Sequence, residues 1–238
     1  MKASVVIPAM NEEHSIGLVI DEIPRDGVGQ VIVVDNGSTD ATAGVARAHG
    51  ATVVEERRRG YGAACLRGIA SVERDSDVVV ILDGDHSDYP EDLPLLLAPI
   101  ENGTADFVVG SRVTGAEKGA LQWNQRLGNV LACGMIRWLY GFRFTDMGPF
   151  RAIRRRSLEA LGMRDPTFGW NAEMQVKAIR AGLRIIEVPV RYRKRIGKSK
   201  ISGTIRGTIL AGTKIIATIL SCYPAYLRSR GGKVRTRP

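Results

Sequence analysis

Cysteine is scarce in this 238-residue sequence: Cys65, Cys133 and Cys222 form no C-x-x-C pair and have no close histidine. Three such thiols build neither a disulfide framework nor a structural zinc site, and they fit a reduced, intracellular compartment. The opening MKASVVIPAMNE has one lysine and only a short apolar run before Asn11, Glu12 and Glu13, which does not make a secretory leader. No internal repeat is visible, and two nucleotide-binding signatures are missing. Residues 8–13 lack the G-x-G-x-x-G of a dinucleotide fold, and Gly60-Tyr61-Gly62 lacks the Lys-Ser/Thr of a P-loop. Residues 7–16 hold no glycine-rich loop with Arg and Lys, which argues against a sugar-phosphate nucleotidyltransferase.

Acid is nearly missing from one half of the chain. Residues 1–110 hold 8 Lys and Arg against 19 Asp and Glu, a net −11; residues 111–238 hold 26 against 6, a net +20. The overall +9 is the sum of an acidic and a very basic half. A uniformly basic nucleic-acid binder would not need that division. The basic half calls for an anionic partner, either phosphate groups or an anionic membrane surface. With 44% hydrophobic and 25% charged residues, the chain reads as folded, with one large domain or a domain plus an appendage.

What is present is an alternation. Apolar runs at 4–8, 31–35, 52–54, 77–83 and 106–110 have strand length. Between them, helical spacing runs over 14–23, 39–49, 61–72 and 90–100, with Ser38 placed to cap the second helix and Gly50 to stop it. In the second half, helices are expected over 123–140, 157–161 and 171–181, and strands over 150–153 and 185–190. Unbroken Val/Ile runs mean strands buried on both faces, so the class is α/β with a mostly parallel central sheet flanked by helices. Ligands collect at the carboxyl ends of such strands.

Residues 207–227 are about as long as a bilayer span, which takes roughly 20 residues. Lys214 near the middle, the scattered Gly, Ser and Thr, and Pro224 favour instead an amphipathic helix, over 203–227, lying in the membrane interface or packed on the domain. The Arg/Gly-rich residues 228–238 are expected to fray as a flexible basic tail.

Acids sit at the strand ends. Asp83-Gly84-Asp85 follows a buried run, and two carboxylates one residue apart can face one divalent cation across the tight turn that Gly84 permits. Mg²⁺ or Mn²⁺ would bridge from them to substrate phosphates. Asp35 ends the second strand and could accept hydrogen bonds from a ribose or base; Ser38 and Asp40 beside it could equally be helix-capping groups. Residues 8–12 form a third strand-end loop. Together the three loops suit a nucleoside with a metal-held diphosphate. Gly60-Tyr61-Gly62 reads as a tight turn and helix start, or as a place where backbone approaches a ligand. The basic half supplies counter-charge from Arg112, Arg126 and the run Arg191, Arg193, Lys194, Arg195, Lys198 and Lys200. Alternation would aim Arg191 and Arg193 to one face of a strand.

These segments, in this order and spacing over about residues 3–207, resemble the family 2 glycosyltransferases of the GT-A fold: VVIPAMNE, VIVVDNGSTDAT, GYGAACLRGI, VVVILDGDHSDYPEDLPLL, VVGSR, WNQRLGN, DMGPFRAIRR, EVPVRYRKRIGKSK and SGTIRG. The nearest look is to the polyprenyl-phosphate sugar synthases, such as dolichyl-phosphate mannosyltransferase. The resemblance implies an inverting enzyme, with a catalytic domain over 1–202, divided into a nucleotide-binding half (1–110) and an acceptor half (111–202). Pro8, Glu12 and Asp35 would contact the nucleoside. Asp83, Gly84 and Asp85 would meet metal and diphosphate, with Ser87 where a metal-side Gln is common. Arg112 and Arg126 would meet donor or acceptor phosphate, and Arg195 and Lys200 would close over the diphosphate. Asp146 lies on the acceptor side. A lipid phosphate acceptor needs no general base; a sugar hydroxyl does, and Asp146 or Glu173 would then supply it. The chain departs from the family at Asn36 for a second Asp, at Gly84 for Ala and at Gly148-Pro149-Phe150 for Ser-Gly-Phe. The expected partners are a nucleotide sugar (GDP-mannose or UDP-glucose), a polyprenyl phosphate or other acceptor, and an anionic membrane surface, with no nucleic acid; the expected location is the cytoplasmic face of a membrane. A soluble or glycan hydroxyl acceptor is the alternative. A non-enzymatic phosphate- or nucleic-acid-binding module would leave the Asp83/Asp85 loop without a role.

Overall fold

The computed structural model describes residues 1–197 and 205–231. Lys198 and Lys200 lie outside the described residues. The elements are β1 (Ala3–Ala9), α1 (Ile16–Asp21), β2 (Val28–Asp35), α2 (Thr42–Ala48), β3 (Thr52–Glu55), α3 (Tyr61–Ile69), β4 (Val78–Ile81), α4 (Leu93–Glu101), β5 (Phe107–Ser111), α5 (Trp123–Tyr140), β6 (Arg151–Arg154), α6 (Arg155–Leu161), α7 (Trp170–Ala181), β7 (Ile185–Pro189) and α8 (Ile205–Gly231). The strands form one seven-stranded sheet in the order β3-β2-β1-β4-β6-β5-β7. All neighbours pair parallel except β6, which runs antiparallel between β4 and β5.

Strand alternation divides the core. Val5, Ile7, Val31, Val33, Val78 and Val80 face α1 and α4 through Ile16, Ile20, Leu93 and Leu96. Val6, Ile32, Val34, Val79 and Ile81 face the other layer, with Cys65 of α3, Ile136 of α5, Trp170 of α7 and Ile219 of α8. Unbroken apolar strands are what a sheet covered on both sides requires.

Some boundaries moved for local reasons. The second helix begins at Thr42 rather than at 39, and Ser38 is not its cap. Ser38 Oγ instead accepts the Asn11 N–H at 3.0 Å, while Asp40 Oδ1 accepts the Thr42 N–H at 3.0 Å. At the other end, α8 continues through Pro224 to Gly231, several residues into the stretch expected to fray. It packs on α5 and α7. Ile219 is fully buried, the Tyr140 hydroxyl donates to its carbonyl at 2.6 Å, and the Tyr226 hydroxyl donates to the Tyr140 carbonyl at 2.8 Å. Among the described residues, Leu210–Ser229 is the one segment long and apolar enough to cross a membrane, at a mean hydropathy of 1.2. Its inner face is occupied by the domain.

Candidate active site

The carboxyl ends of β1, β2 and β4 converge, and their loops are stitched together by side chains. Asn11, held at φ 54°, accepts the Thr39 N–H at 2.7 Å. Thr42 Oγ1 accepts the Glu12 N–H at 2.8 Å, and Glu13 accepts the Ala41 N–H at 2.9 Å. Asn36 donates to the carbonyls of Glu56 and Arg58 at 2.9 Å and accepts the Gly60 N–H at 2.8 Å. That amide needs both a donor and an acceptor end, which a second aspartate would not offer. Ser15 Oγ donates to the Gly84 carbonyl at 2.8 Å and ties α1 to the loop after β4.

Between these loops lies a cavity of about 400 Å³. Its walls include Pro8, Glu12, Asp83, Gly84, Asp85 and Arg195, six of the residues singled out from the sequence. Asp85 Oδ1 accepts the Ser87 N–H at 2.9 Å and the Ser87 hydroxyl at 2.5 Å, so fully buried Ser87 holds the carboxylate rather than standing free beside it. The other oxygen, Oδ2, meets Arg195 at 3.0 Å, and the same guanidinium reaches Glu12 at 3.3 Å. Asp83 is half-buried, and its Oδ1 is buried without a hydrogen-bond partner. Burial, and then the charge of Asp85, push its carboxyl up to about 7. The donor set is all oxygen, which suits Mg²⁺ or Mn²⁺. Among the described residues no three His, Cys, Asp or Glu side chains form a ready metal cage. Two carboxylates plus substrate phosphates is the usual arrangement for such an ion.

Other expected residues stand outside the cavity. Asp35 turns back to accept the Ser38 N–H at 3.0 Å, and its neighbour Asn36 lines the wall instead. Arg112 is half-buried against Asp146, with Nε–Oδ2 at 2.7 Å and a second nitrogen to Oδ1 at 2.8 Å, and it stacks on the Tyr192 ring. Burial opposes ionisation of Asp146, but the Arg112 guanidinium outweighs it and holds the carboxyl below its ordinary range. Arg126 is exposed on the first turns of α5. Glu173 accepts the N–H groups of Arg164 and Asp165 and pairs with Lys177 at 2.7 Å, so it braces a loop. Arg191 and Arg193 lie beyond the end of β7 and not in a strand, yet both guanidinium groups stack on Tyr89. They are not free for an anion: Arg191 pairs with Asp92 at 2.7 Å, and Arg193 pairs with Glu22. Of the basic run, Arg195 is the described member that reaches the cavity.

Sequence reasoning missed one wall. Arg59, Thr167 and Phe168 line the cavity, together with Tyr61 of the Gly60-Tyr61-Gly62 turn. A Cβ at Gly60 would fall 2.2 Å from the Pro166 carbonyl, and one at Gly62 would fall 2.0 Å from that of Asp165. The close backbone approach there is to the 165–168 loop. Asp165 shapes that loop: Oδ1 accepts from the Thr167 N–H at 2.8 Å, and Oδ2 meets Lys214 of α8 at 2.9 Å. Asp88 was also passed over. Both its carboxylate oxygens are buried without a hydrogen-bond partner, and burial, then the charge of Asp83, raises it well above the ordinary range. Gly148, where the family commonly has Ser, sits where a Cβ would be 2.4 Å from the Gly110 carbonyl.

Comparison with known proteins shows the family. A dolichyl-phosphate hexose transferase of Haloferax volcanii is 34% identical over 220 residues, covering 91% of this chain and 93% of that one. An undecaprenyl-phosphate mannosyltransferase of Micrococcus luteus is 33% identical over 223 residues, covering 87% and 90%. The crystal structure of glucosyl-3-phosphoglycerate synthase from Mycobacterium tuberculosis, in complex with Mn²⁺, UDP-glucose and phosphoglyceric acid, superposes with a TM-score of 0.75 at 26% identity, covering 92% of this chain and 79% of that one. Residues 4–162 match the model of glycosyl transferase family 2. With its strand-end carboxylate pair on a mostly parallel sheet, the chain belongs to glycosyl transferase family 2.

Proposed function

We propose that this protein transfers a hexose, with inversion, from a nucleotide sugar (GDP-mannose or UDP-glucose) to a polyprenyl phosphate. The observation that carries the choice of acceptor is the state of the two candidate bases. Both oxygens of Asp146 are held by Arg112, and Glu173 is spent on backbone N–H groups and Lys177. A hydroxyl acceptor must lose a proton to a base; a lipid phosphate is already an anion at neutral pH. The names of the Haloferax and Micrococcus relatives support the same acceptor class.

In this reading Pro8, Glu12 and the Asn36 region hold the nucleoside, and Arg195 faces the diphosphate. Asp83 and Asp85 would hold Mg²⁺ or Mn²⁺, which supplies charge neutralisation for the departing nucleoside diphosphate. Arg195 shares that task, and its contacts to Asp85 and Glu12 hold it in the cavity wall. Lys200 is proposed to close over the diphosphate. Arg112 and Arg126 are proposed to serve the phosphate side of the acceptor, Arg112 through the turn at Asp146. The protein would work at the cytoplasmic surface of a membrane.

A second reading, transfer to a soluble acceptor, draws support from the Mycobacterium structure with phosphoglyceric acid. The decisive assay gives labelled GDP-mannose or UDP-glucose, with Mn²⁺, to the purified protein with either a prenyl phosphate or phosphoglyceric acid. Organic-extractable product is expected from the prenyl phosphate. Product with phosphoglyceric acid alone would replace the first reading by the second.

A further inference from the structure

Helix α5 has two apolar faces, and only one of them is used by the fold. Ala132, Cys133, Ile136 and Tyr140 are buried against the domain. On the opposite side Trp123, Leu127, Val130, Leu131 and Trp138 recur at helical spacing and point into solvent. Trp123 is 77% exposed and Trp138 82%. Large aromatic side chains left this bare on one stripe are unusual for a soluble surface and mark an interaction site. The packed neighbour α8 adds Ile216, Leu220 and Leu227, all exposed.

Charge says what covers this face. Helix α5 contains Arg126 and Arg137 and no acid, and residues 205–231 of α8 contain no acid either. Arg126 and Arg137 are exposed and border the α5 stripe. A second copy of the chain, docked face to face, would bring arginines together with no carboxylate on either helix to meet them. An anionic lipid surface meets both demands: its acyl boundary takes the apolar residues and its headgroups take the arginines. Tryptophan is suited to that depth because its ring is apolar and its N–H still finds a partner.

We propose that the outward stripe of α5, with the exposed apolar residues of α8 beside it, is the surface by which this protein lies on an anionic bilayer. The inference rests on the lipid-phosphate reading for its purpose and deepens it by naming the docking surface. The inner side of the same helix supports that purpose. Asn129 donates to the Thr145 carbonyl and accepts the Met147 N–H, both at 2.8 Å, so α5 also fixes the turn that carries Asp146. Docking by α5 would set that acceptor-side turn beside the lipid surface.

The test uses the full chain and vesicles of phosphatidylglycerol and phosphatidylcholine. The chain has three tryptophans, and Trp170 is fully buried, so a change on vesicle addition reports Trp123 and Trp138. A blue shift of their emission is expected, with co-sedimentation that falls as salt is raised and is weak on phosphatidylcholine alone. Trp123→Gln/Trp138→Gln should keep the melting temperature, since both residues are exposed, and bind at least about tenfold more weakly. Unchanged vesicle binding by the double variant, or no blue shift in the parent, would overturn the proposal. So would a concentration-dependent dimer that the double variant abolishes while vesicles have no effect. Transfer to a short, water-soluble prenyl phosphate without vesicles should be equal in parent and variant. If neither transfers, yet vesicle binding behaves as expected, the acceptor reading falls and the docking face stands.

Discussion

A carboxyl group at the end of a strand buried on both faces has lost most of its water, and Asp83 is in that position. Its raised value, about 7 against an ordinary 3.8, has a definite sign in pH experiments. The folded state keeps the proton up to about pH 7, whereas the unfolded chain releases it near pH 4, so this group's contribution to stability falls as pH rises between those values. Thermal melts of the unliganded protein should show that decline, and Asp83→Asn should lessen it, leaving the part that the raised Asp88 contributes. Donor and divalent cation need the ionised form, so their affinity should rise across the same range; a flat affinity profile would remove Asp83 from the metal pair. Asp85 is held differently, by Ser87 and Arg195. Asp85→Ala should cost about 1–2 kcal/mol of stability from those lost contacts. Transfer should drop by about 10²-fold or more. Circular dichroism and donor turnover measured together check both, and full activity would overturn the assignment.

At the scale of elements, the 165–168 loop joins two parts of the chain that the sequence places far apart. Asp165 ties Thr167 on one side to Lys214 and Thr218 of α8 on the other, and the next residues line the cavity. Burial opposes ionisation of Asp165, but Lys214 and Thr167 outweigh it and hold the carboxyl low. Asp165→Ala leaves a lysine and two hydroxyl groups without their partner, and should cost about 1–3 kcal/mol. The wall at Thr167 and Phe168 loosens with it, so the donor KM should rise while kcat changes less. Equilibrium denaturation and steady-state kinetics separate the two effects; an unchanged KM would show that the loop does not shape the donor site. Lys214→Met keeps the packing of the lysine stem and should reproduce a smaller part of the same change.

For the whole molecule, α8 completes the core instead of hanging from it. Ile219 is buried, Tyr140, Tyr223 and Tyr226 pack together, and Lys214 is engaged by Asp165. Removing residues 205–238 therefore does more than remove a membrane-binding segment. It strips the α5–α7 face, and the melting temperature should fall by about 10 °C or more. Truncation that leaves the melt unchanged would show α8 to be an appendage. The vesicle experiment is for this reason better carried by the exposed tryptophans than by deletion.

Some of this was legible without coordinates. Asp83 and Asp85 were readable because a carboxylate after an unbroken Val/Ile run must emerge at the ligand end of a parallel sheet; the run that buries the strand on both faces also sets the acid at its end. Pro8 and Glu12 followed by the same logic, and α5 over Trp123–Tyr140 followed from its spacing. Arg195 reached the site as one of a run of cations, but the sequence could not say that Arg191 and Arg193 are consumed by Asp92 and Glu22. Pairing across roughly a hundred residues or more depends on where the chain returns, and only the tertiary structure sets that return. The same holds for Asp146, whose two oxygens are claimed by Arg112 from a different strand end, and for Thr167 and Phe168, whose place in the wall depends on two glycines near residue 60. Local pattern determined the strands, their buried faces and the acids at their ends. Folding decided which charges neutralise each other, which carboxylates stay without a partner, and which face of α5 is left for something outside the chain.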